Sequence, residues 1–384
     1  MEGEPVADSR MTARRAMDAT GLGHWSGRTV LVTGFSGFIG SWLTTALSHL
    51  GARVYGFALD DAHTRTRSDL PVHHVSLGDI RDFEAVRRAM SAADFDAVFH
   101  LAAQPLVRVG LEDPRGTLET NIVGSVNLLE AARVCRPATV VHVTSDKCYR
   151  NKAWTWPYRE VDELGGGCPY SVSKAAAELV FEGYVPFFAS GEPAVRAASV
   201  RFGNVIGGDD NAPHRLVTDV MSALAAEEPV VLRRPEAVRP WQHVLDVVHG
   251  LLLLADALGE GSVATGAVLN FAPPGDGASA RELAEALLRA RSGTGQAGAA
   301  GIEERRADFA EEEILRLDGR MAATLLDWRH RFGLDEAAEA IADWHRQVRQ
   351  GVPARTATHR QVRGFFDTAS GRAPAGTALG GARL

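Results

Sequence analysis

Hydrophobic positions in this chain fall into short, nearly unbroken runs separated by segments of helical period. Such runs occupy residues 29–33, 53–59, 73–76, 97–102, 139–144 and 198–205. Continuous apolar runs of about four to eight residues, bounded by turn residues, predict strands buried on both faces. Between them, residues 41–50, 82–92, 121–133 and 173–184 place apolar side chains at three- and four-residue steps, as a helix with one buried stripe does. Strands alternating with helices predict a parallel sheet covered on both faces. The right-handed crossover rule makes it doubly wound.

Beyond residue 207 the pattern loosens, with helical segments at 216–228, 245–258, 280–291 and 335–350 joined by polar loops. This organisation predicts an α/β protein with a first domain over 28–206. A smaller C-terminal α/β domain for substrate binding follows over 207–350, with some segments returning to the first domain. Residues 1–27 read as a disordered leader, and 351–384, which ends in Ala, Gly and Arg, as a flexible tail. There is no internal repeat.

Composition narrows the function classes. A formal net charge of −7 lacks the basic footprint of a nucleic-acid binder. No apolar stretch approaches the length of a membrane span, and the leader has no signal-peptide core. Cys135, Cys148 and Cys168 have neither metal-ligand nor disulfide spacing, so no metal is expected and a reduced, cytoplasmic setting fits.

The first predicted strand runs into Gly34-Phe35-Ser36-Gly37-Phe38-Ile39-Gly40, a GxxGxxG loop that opens a helix. One glycine permits the turn, one lets backbone approach a pyrophosphate, and one lets helix and strand pack closely. The phosphates then meet the positive helix end. This is the fingerprint of a Rossmann domain. Asp60, twenty residues after Gly40, ends the second strand, where a carboxylate accepts from the ribose hydroxyls and repels a 2′-phosphate. Its neighbour Asp61 is the alternative partner. Arg65 and Arg67 would suit NADP, but as a solvated loop they leave NAD favoured. Asp79 and Ile80 after the third strand, and Leu101-Ala102-Ala103-Gln104 after the fourth, are further candidates to border the cofactor. Asn121 has two open readings, a cofactor contact or an N-cap.

Tyr170-Ser171-Val172-Ser173-Lys174 puts a phenol and an ammonium on one helical face. The ammonium is expected to lower the phenol pKa, so that the phenolate takes a hydroxyl proton as hydride leaves for nicotinamide. Ser145 or Thr144, at the end of the preceding strand, would hydrogen-bond the same hydroxyl.

GxxGxxG, Leu-Ala-Ala, Ser/Thr at a strand end and YxxxK occur here in the order of the extended short-chain dehydrogenases/reductases, which the chain resembles. Four blocks resemble the CDP-glucose 4,6-dehydratases more narrowly: residues 101–108, 143–149, 203–208 and 239–244. That resemblance implies transient C4 oxidation of a nucleotide-linked sugar by NAD, elimination of water across C5 and C6, and return of hydride. It implies Tyr170 and Lys174 for the redox step, Asp146 as the acid for the departing hydroxyl, and Lys147 where related dehydratases carry a Glu base. It also implies Asn204, Arg215 and Arg239 at the diphosphate, Arg108 near sugar or cofactor, His243 less directly at the substrate, and a homodimer paired through 121–133 and 173–184. Trp154, Trp156 and Tyr158 have two open readings, sugar pocket or packing. The cofactor loop departs from the narrower pattern, which has His-Thr at its start and Lys in place of Ile39. A C4 epimerase or another nucleotide-sugar oxidoreductase remains as an alternative, and an NAD-sensing regulator as a non-enzymatic one.

Overall fold

The computed structural model describes residues 24–67, 69–292, 301–305 and 314–369. Seven strands form one sheet: β1 (Thr29–Thr33), β2 (Arg53–Ala58), β3 (His74–Leu77), β4 (Ala97–His100), β5 (Thr139–Val143), β6 (Arg196–Phe202) and β7 (Ala267–Phe271). Their order is β7-β6-β5-β4-β1-β2-β3, with every pairing parallel. The order reverses between β1 and β4. At such a switch point the loops leaving neighbouring strands diverge to opposite faces and open a crevice at the carboxyl ends.

Alternation along β1 sends Val30 and Val32 to one face and Leu31 to the other. The first face is covered by α1 (Phe38–His49) and, later in the chain, by the helix Val244–Glu260, the second by α3 (Phe83–Met90), α4 (Gly124–Cys135) and α5 (Pro169–Ala189). A short helix, α2 (Ala62–Thr66), follows β2 with Asp61 as its N-cap, accepting from Thr64 N at 2.7 Å. A third apolar cluster joins α6 (Leu216–Ala226), α8 (Ala280–Ser292) and α9 (Leu334–Arg349), outside the sheet. Between them in sequence, α7 (Val244–Glu260) is apolar on nearly every side and lies under the sheet.

The sequence pattern missed β7. It lies in a stretch expected to be loops and helices, yet Leu269 and Phe271 are fully buried and complete the sheet edge beside β6.

Both chain-end expectations need correction. Trp25 is fully buried, and its indole donates to Asp256 on α7 at 2.9 Å, beside Arg28 at 2.7 Å. The ordered chain therefore begins before residue 28, because one Trp and one buried carboxylate outweigh the polar composition around them. Residues 1–23 lie outside the described residues. The supposed tail forms α10 (Ala354–Ala369), which buries Ala357, Val362, Phe365 and Phe366 against α1 and α9. The apolar residues sit at helical spacing there, and composition averaged over the whole tail hides them. Residues 370–384 lie outside the described residues. Among the described residues, no helix is long and apolar enough to cross a membrane.

The buried imidazoles set an acid limit to stability. Burial lowers His142 and His243 to about 3 and His345 to about 4. The unfolded chain takes these protons near pH 6.5. Between those values the unfolded state binds more protons, so stability falls as pH drops below about 6.5. Burial raises Asp209, Asp210, Asp246 and Glu160, which protonate earlier in the fold and offset part of the loss at lower pH. Thermal melts are expected to show Tm lower by several degrees at pH 5 than at pH 7.5. A Tm independent of pH over that interval would show that these rings are not held neutral.

Candidate active site

A cavity of about 1360 Å³ opens along the carboxyl ends of the strands, at the β1/β4 switch point. Pockets for one drug-sized ligand run to roughly 1,000 Å³, so this one suits a dinucleotide together with a second ligand. Gly34, Ser36, Gly37, Phe38, Ile39 and Gly40 line one end. Gly34 has φ +71°, and a Cβ there would lie 2.8 Å from Ala102 N. A Cβ on Gly40 would lie 2.1 Å from Gly34 O. No side chain caps α1 at Gly37, so its first N–H groups face the loop unclaimed by a cap. Asp79 and Ile80 border the same end, and Leu101, Ala102 and Ala103 its floor. A glycine cradle, a bare helix start and a small-residue floor fit a dinucleotide pyrophosphate.

Thr144, Ser145, Asp146, Lys147, Tyr170 and Lys174 line the middle. Helix α5 starts just before the phenol because Pro169 stands in its first turn and Cys168 caps it. Ser145 Oγ donates to Asp146 Oδ1 at 3.0 Å, and Asp146 is 2% exposed. Burial pushes the Tyr170 phenol up to about 12, against a hydrogen bond with Ser145. The expected lowering by Lys174 is therefore not the dominant effect in this arrangement, since desolvation outweighs the neighbouring charges. Burial brings the Lys174 ammonium down to about 8, with Glu178 acting in the opposite sense.

Arg108, Asn204, Arg215 and Arg239 line the same cavity. Arg215 pairs with buried Asp210 at 3.2 Å, and Arg108 with Glu112 at 2.9 Å.

A family model described as the NAD dependent epimerase/dehydratase family matches residues 30–267. The chain belongs to this family. The CDP-glucose 4,6-dehydratase of Salmonella typhimurium is 37% identical over 353 residues, covering 89% of this chain and 97% of that protein. The UDP-glucose 4-epimerase of Thermus thermophilus, solved in complex with NAD, is 27% identical with a TM-score of 0.69, covering 83% of this chain and 99% of that one. A dTDP-glucose 4,6-dehydratase of Streptomyces venezuelae, solved with NAD, shares the fold with a TM-score of 0.71 at 24% identity, over 85% of this chain and 99% of its own.

Within this epimerase/dehydratase site, five expected residues do not line the cavity. Phe35 is 2% exposed and lies against Gly56, whose added Cβ would fall 2.6 Å from the ring, so the ring is core. Asp60 turns to the surface, paired with Arg65 at 2.9 Å, while the alternative, Asp61, lines the cavity. Gln104 braces its own loop, donating to Leu106 O at 3.0 Å and Thr117 Oγ1 at 2.8 Å. Asn121 is no N-cap: it sits in a wide turn, Glu119–Val123, just before α4, donating to Gln104 O at 3.0 Å and Ser173 Oγ at 2.8 Å. It thereby ties the β4 loop to α5. His243 is fully buried, with its ring 4.4 Å from Phe332 and Nδ1 accepting from Leu245 N at 3.3 Å. In each case the side chain is taken up by a protein partner instead of facing the cavity.

The aromatic group before Tyr170 also resolves toward packing. Tyr158 stacks on Tyr149 at 5.3 Å and Trp156 is 72% exposed, and none of the three lines the cavity.

Among the cavity residues that had escaped sequence reasoning, three stand close together. Arg233 and Arg234 follow the short strand Val230–Leu232, and Asp219 lies in the first turn of α6. Arg233 Nη2 stands 3.9 Å from Asp219 Oδ2. The Arg-Arg pair directly after an apolar run was the available signal.

Proposed function

We propose that the protein is a nucleotide-sugar 4,6-dehydratase that uses tightly held NAD and acts on CDP-glucose. The observation that carries this reading is the buried Asp146 beside Ser145 and Lys147, in the same cavity as Tyr170 and Lys174. An epimerase needs no acid for a departing hydroxyl, and the 37% identity to a CDP-glucose 4,6-dehydratase supports the same choice.

The glycine loop, the start of α1, Asp61 and the floor at 101–103 would hold NAD. Asp61 would accept from its ribose hydroxyls, and the pairing of Arg65 with Asp60 leaves that cation less available for a 2′-phosphate. NAD, when bound, supplies a reversible hydride acceptor. Tyr170, in its phenolate form, would receive the proton of the C4 hydroxyl, and Ser145 would hold that hydroxyl. Once C4 is a ketone, the C5 proton is acidified, and Lys147 would accept it in its neutral amine form. Asp146 would give its proton to the C6 hydroxyl, which leaves as water, and as hydride returns to C6 Lys147 would give its proton back to C5.

Arg215 and Arg239 would take the diphosphate. Beyond them, Arg233 and Asp219 offer donors and an acceptor side by side. Cytosine presents two adjacent acceptors, O2 and N3, and an amino donor, which that pair complements. Uracil and thymine put an N–H where Arg233 would donate. Exposed Val123 just before α4 and Val134 on it, with Val172, Leu179 and Phe187 on α5, support a homodimer paired through these helices, which light scattering checks.

The test is incubation with CDP-glucose, and separately with UDP-, dTDP- and GDP-glucose, plus NAD. Mass spectrometry follows loss of water. Dehydration of CDP-glucose in preference to the others is the expected result. No dehydration of any of them, with NAD bound, overturns the reading.

A further inference from the structure

We propose that Glu178 and Arg201 form a positioning pair that clamps both ends of the loop carrying Ser145, Asp146 and Lys147 and places a fixed negative charge one helical turn from Lys174. The inference rests on the dehydratase reading for the roles of those residues, and on the following geometry for the clamp itself.

Glu178 lies on α5 four residues beyond Lys174 and is 3% exposed. Its Oε1 accepts from Thr144 Oγ1, and from Ser199 Oγ at 2.8 Å. Its Oε2 accepts from Arg201 Nη2 at 2.8 Å. Thr144 is the residue that enters the catalytic loop from β5, so its hydroxyl serves the clamp rather than the substrate. The other end of the loop is Tyr149, directly after the tight turn Asp146–Cys148. Arg201 Nη1 donates to Tyr149 Oη at 2.8 Å, and the guanidinium carbon lies 4.9 Å from the centre of that ring. Tyr149 Oη in turn donates to Asn270 Oδ1 on β7 at 2.7 Å. One buried ion pair thus fixes the entry and the exit of the loop against α5, β6 and β7.

A buried ion pair is a weak source of stability, because desolvation cancels most of the attraction and apolar replacements are often neutral. Orientation is what this pair supplies. Displacing reacting groups by about 1 Å costs on the order of a hundredfold in rate.

The second effect is electrostatic. The titratable groups acting on Lys174 or acted on by it are His100 on β4, His142 on β5, Cys148 after β5 and Glu178 on α5. Burial keeps both imidazoles and the thiol neutral near pH 7. Glu178 is therefore the anion that favours the ammonium form of Lys174, and it opposes the desolvation that drives that group toward neutrality.

Two variants separate the effects. Glu178→Gln/Arg201→Gln removes both charges together, leaving neither stranded. Thr144→Val removes the entry hydrogen bond and keeps the charges. The double variant is expected to lose about a hundredfold in kcat. Its KM for CDP-glucose should stay within roughly threefold, and the alkaline limb of its pH profile should move to lower pH. Thr144→Val is expected to lose about tenfold in kcat with the limb unmoved. Nitrogen-15 NMR of labelled lysines, read without turnover, is expected to show Lys174 titrating at lower pH in the double variant only. A folded double variant with the wild-type kcat, limb and Lys174 titration would overturn the proposal. So would a loss of rate that merely tracks the folded fraction, with the limb in place. Wild-type protein is assayed in parallel: its failure to release water counts against the dehydratase reading, while the Lys174 titration still tests the clamp.

Discussion

Tyr170→Phe is expected to lower the rate of water loss from the nucleotide sugar by roughly 100- to 10,000-fold, the range for removing a positioned acid–base group. The variant removes one oxygen from a ring that is 6% exposed and packed against Gly110, whose added Cβ would meet Tyr170 Cβ at 3.2 Å. The ring stays, so the fold stays. The hydrogen bond with Ser145 is the interaction lost, a change of about 1 kcal/mol. NAD binding by calorimetry is therefore expected to persist while turnover, read by mass spectrometry, disappears. That split is the informative outcome, because a general loss of structure would take both together. A Tyr170→Phe protein retaining a tenth of the wild-type rate would remove the phenol from the chemistry.

Gly40→Ala is expected to have the largest effect among conservative single changes in the cofactor loop. Its Cβ would fall 2.1 Å from Gly34 O and 2.9 Å from Phe35 Cα, and both neighbours are backbone that cannot rotate away. Either α1 shifts from β1 or the loop opens, and both spoil the cradle for a pyrophosphate. Forcing an extra methyl into a tight contact costs about 1–3 kcal/mol. A fall in Tm of several degrees and a loss of the thermal shift given by added NAD are the expected readings. Gly364→Ala on α10 is the matched control. Nothing lies within 4 Å of a Cβ there, so the helix should gain about 0.5–1 kcal/mol. Equal thermal responses to NAD in the two variants would show that close approach at Gly40 is unimportant.

The two changes probe different links between chain and function. Gly40 acts through backbone packing, which sequence motifs report well because only one residue type fits. Tyr170 acts through a side chain whose chemistry depends on what surrounds it, and there the motif was a poorer guide. YxxxK correctly paired Tyr170 with Lys174 in one cavity. It suggested that the ammonium would depress the phenol, whereas burial of the ring dominates and the ammonium itself is driven down.

Local order in the sequence determined the alternation of strands and helices, the parallel sheet, the glycine cradle, and the grouping of residues 144–147 with Tyr170 and Lys174. Such features depend on period, on backbone freedom and on fixed spacing along one element, all of which are written within a few residues. The tertiary structure alone decided the rest. It set Asp61 rather than Asp60 at the cavity, turned Thr144 onto Glu178, buried Phe35 and His243, and joined Trp25 to Asp256 across most of the chain. It added β7 to the sheet and α10 to the core, and brought Arg233 together with Asp219. Each of these outcomes is a competition among partners distant in sequence, settled by which contact satisfies a buried polar group or fills apolar space, and no local pattern records the winner.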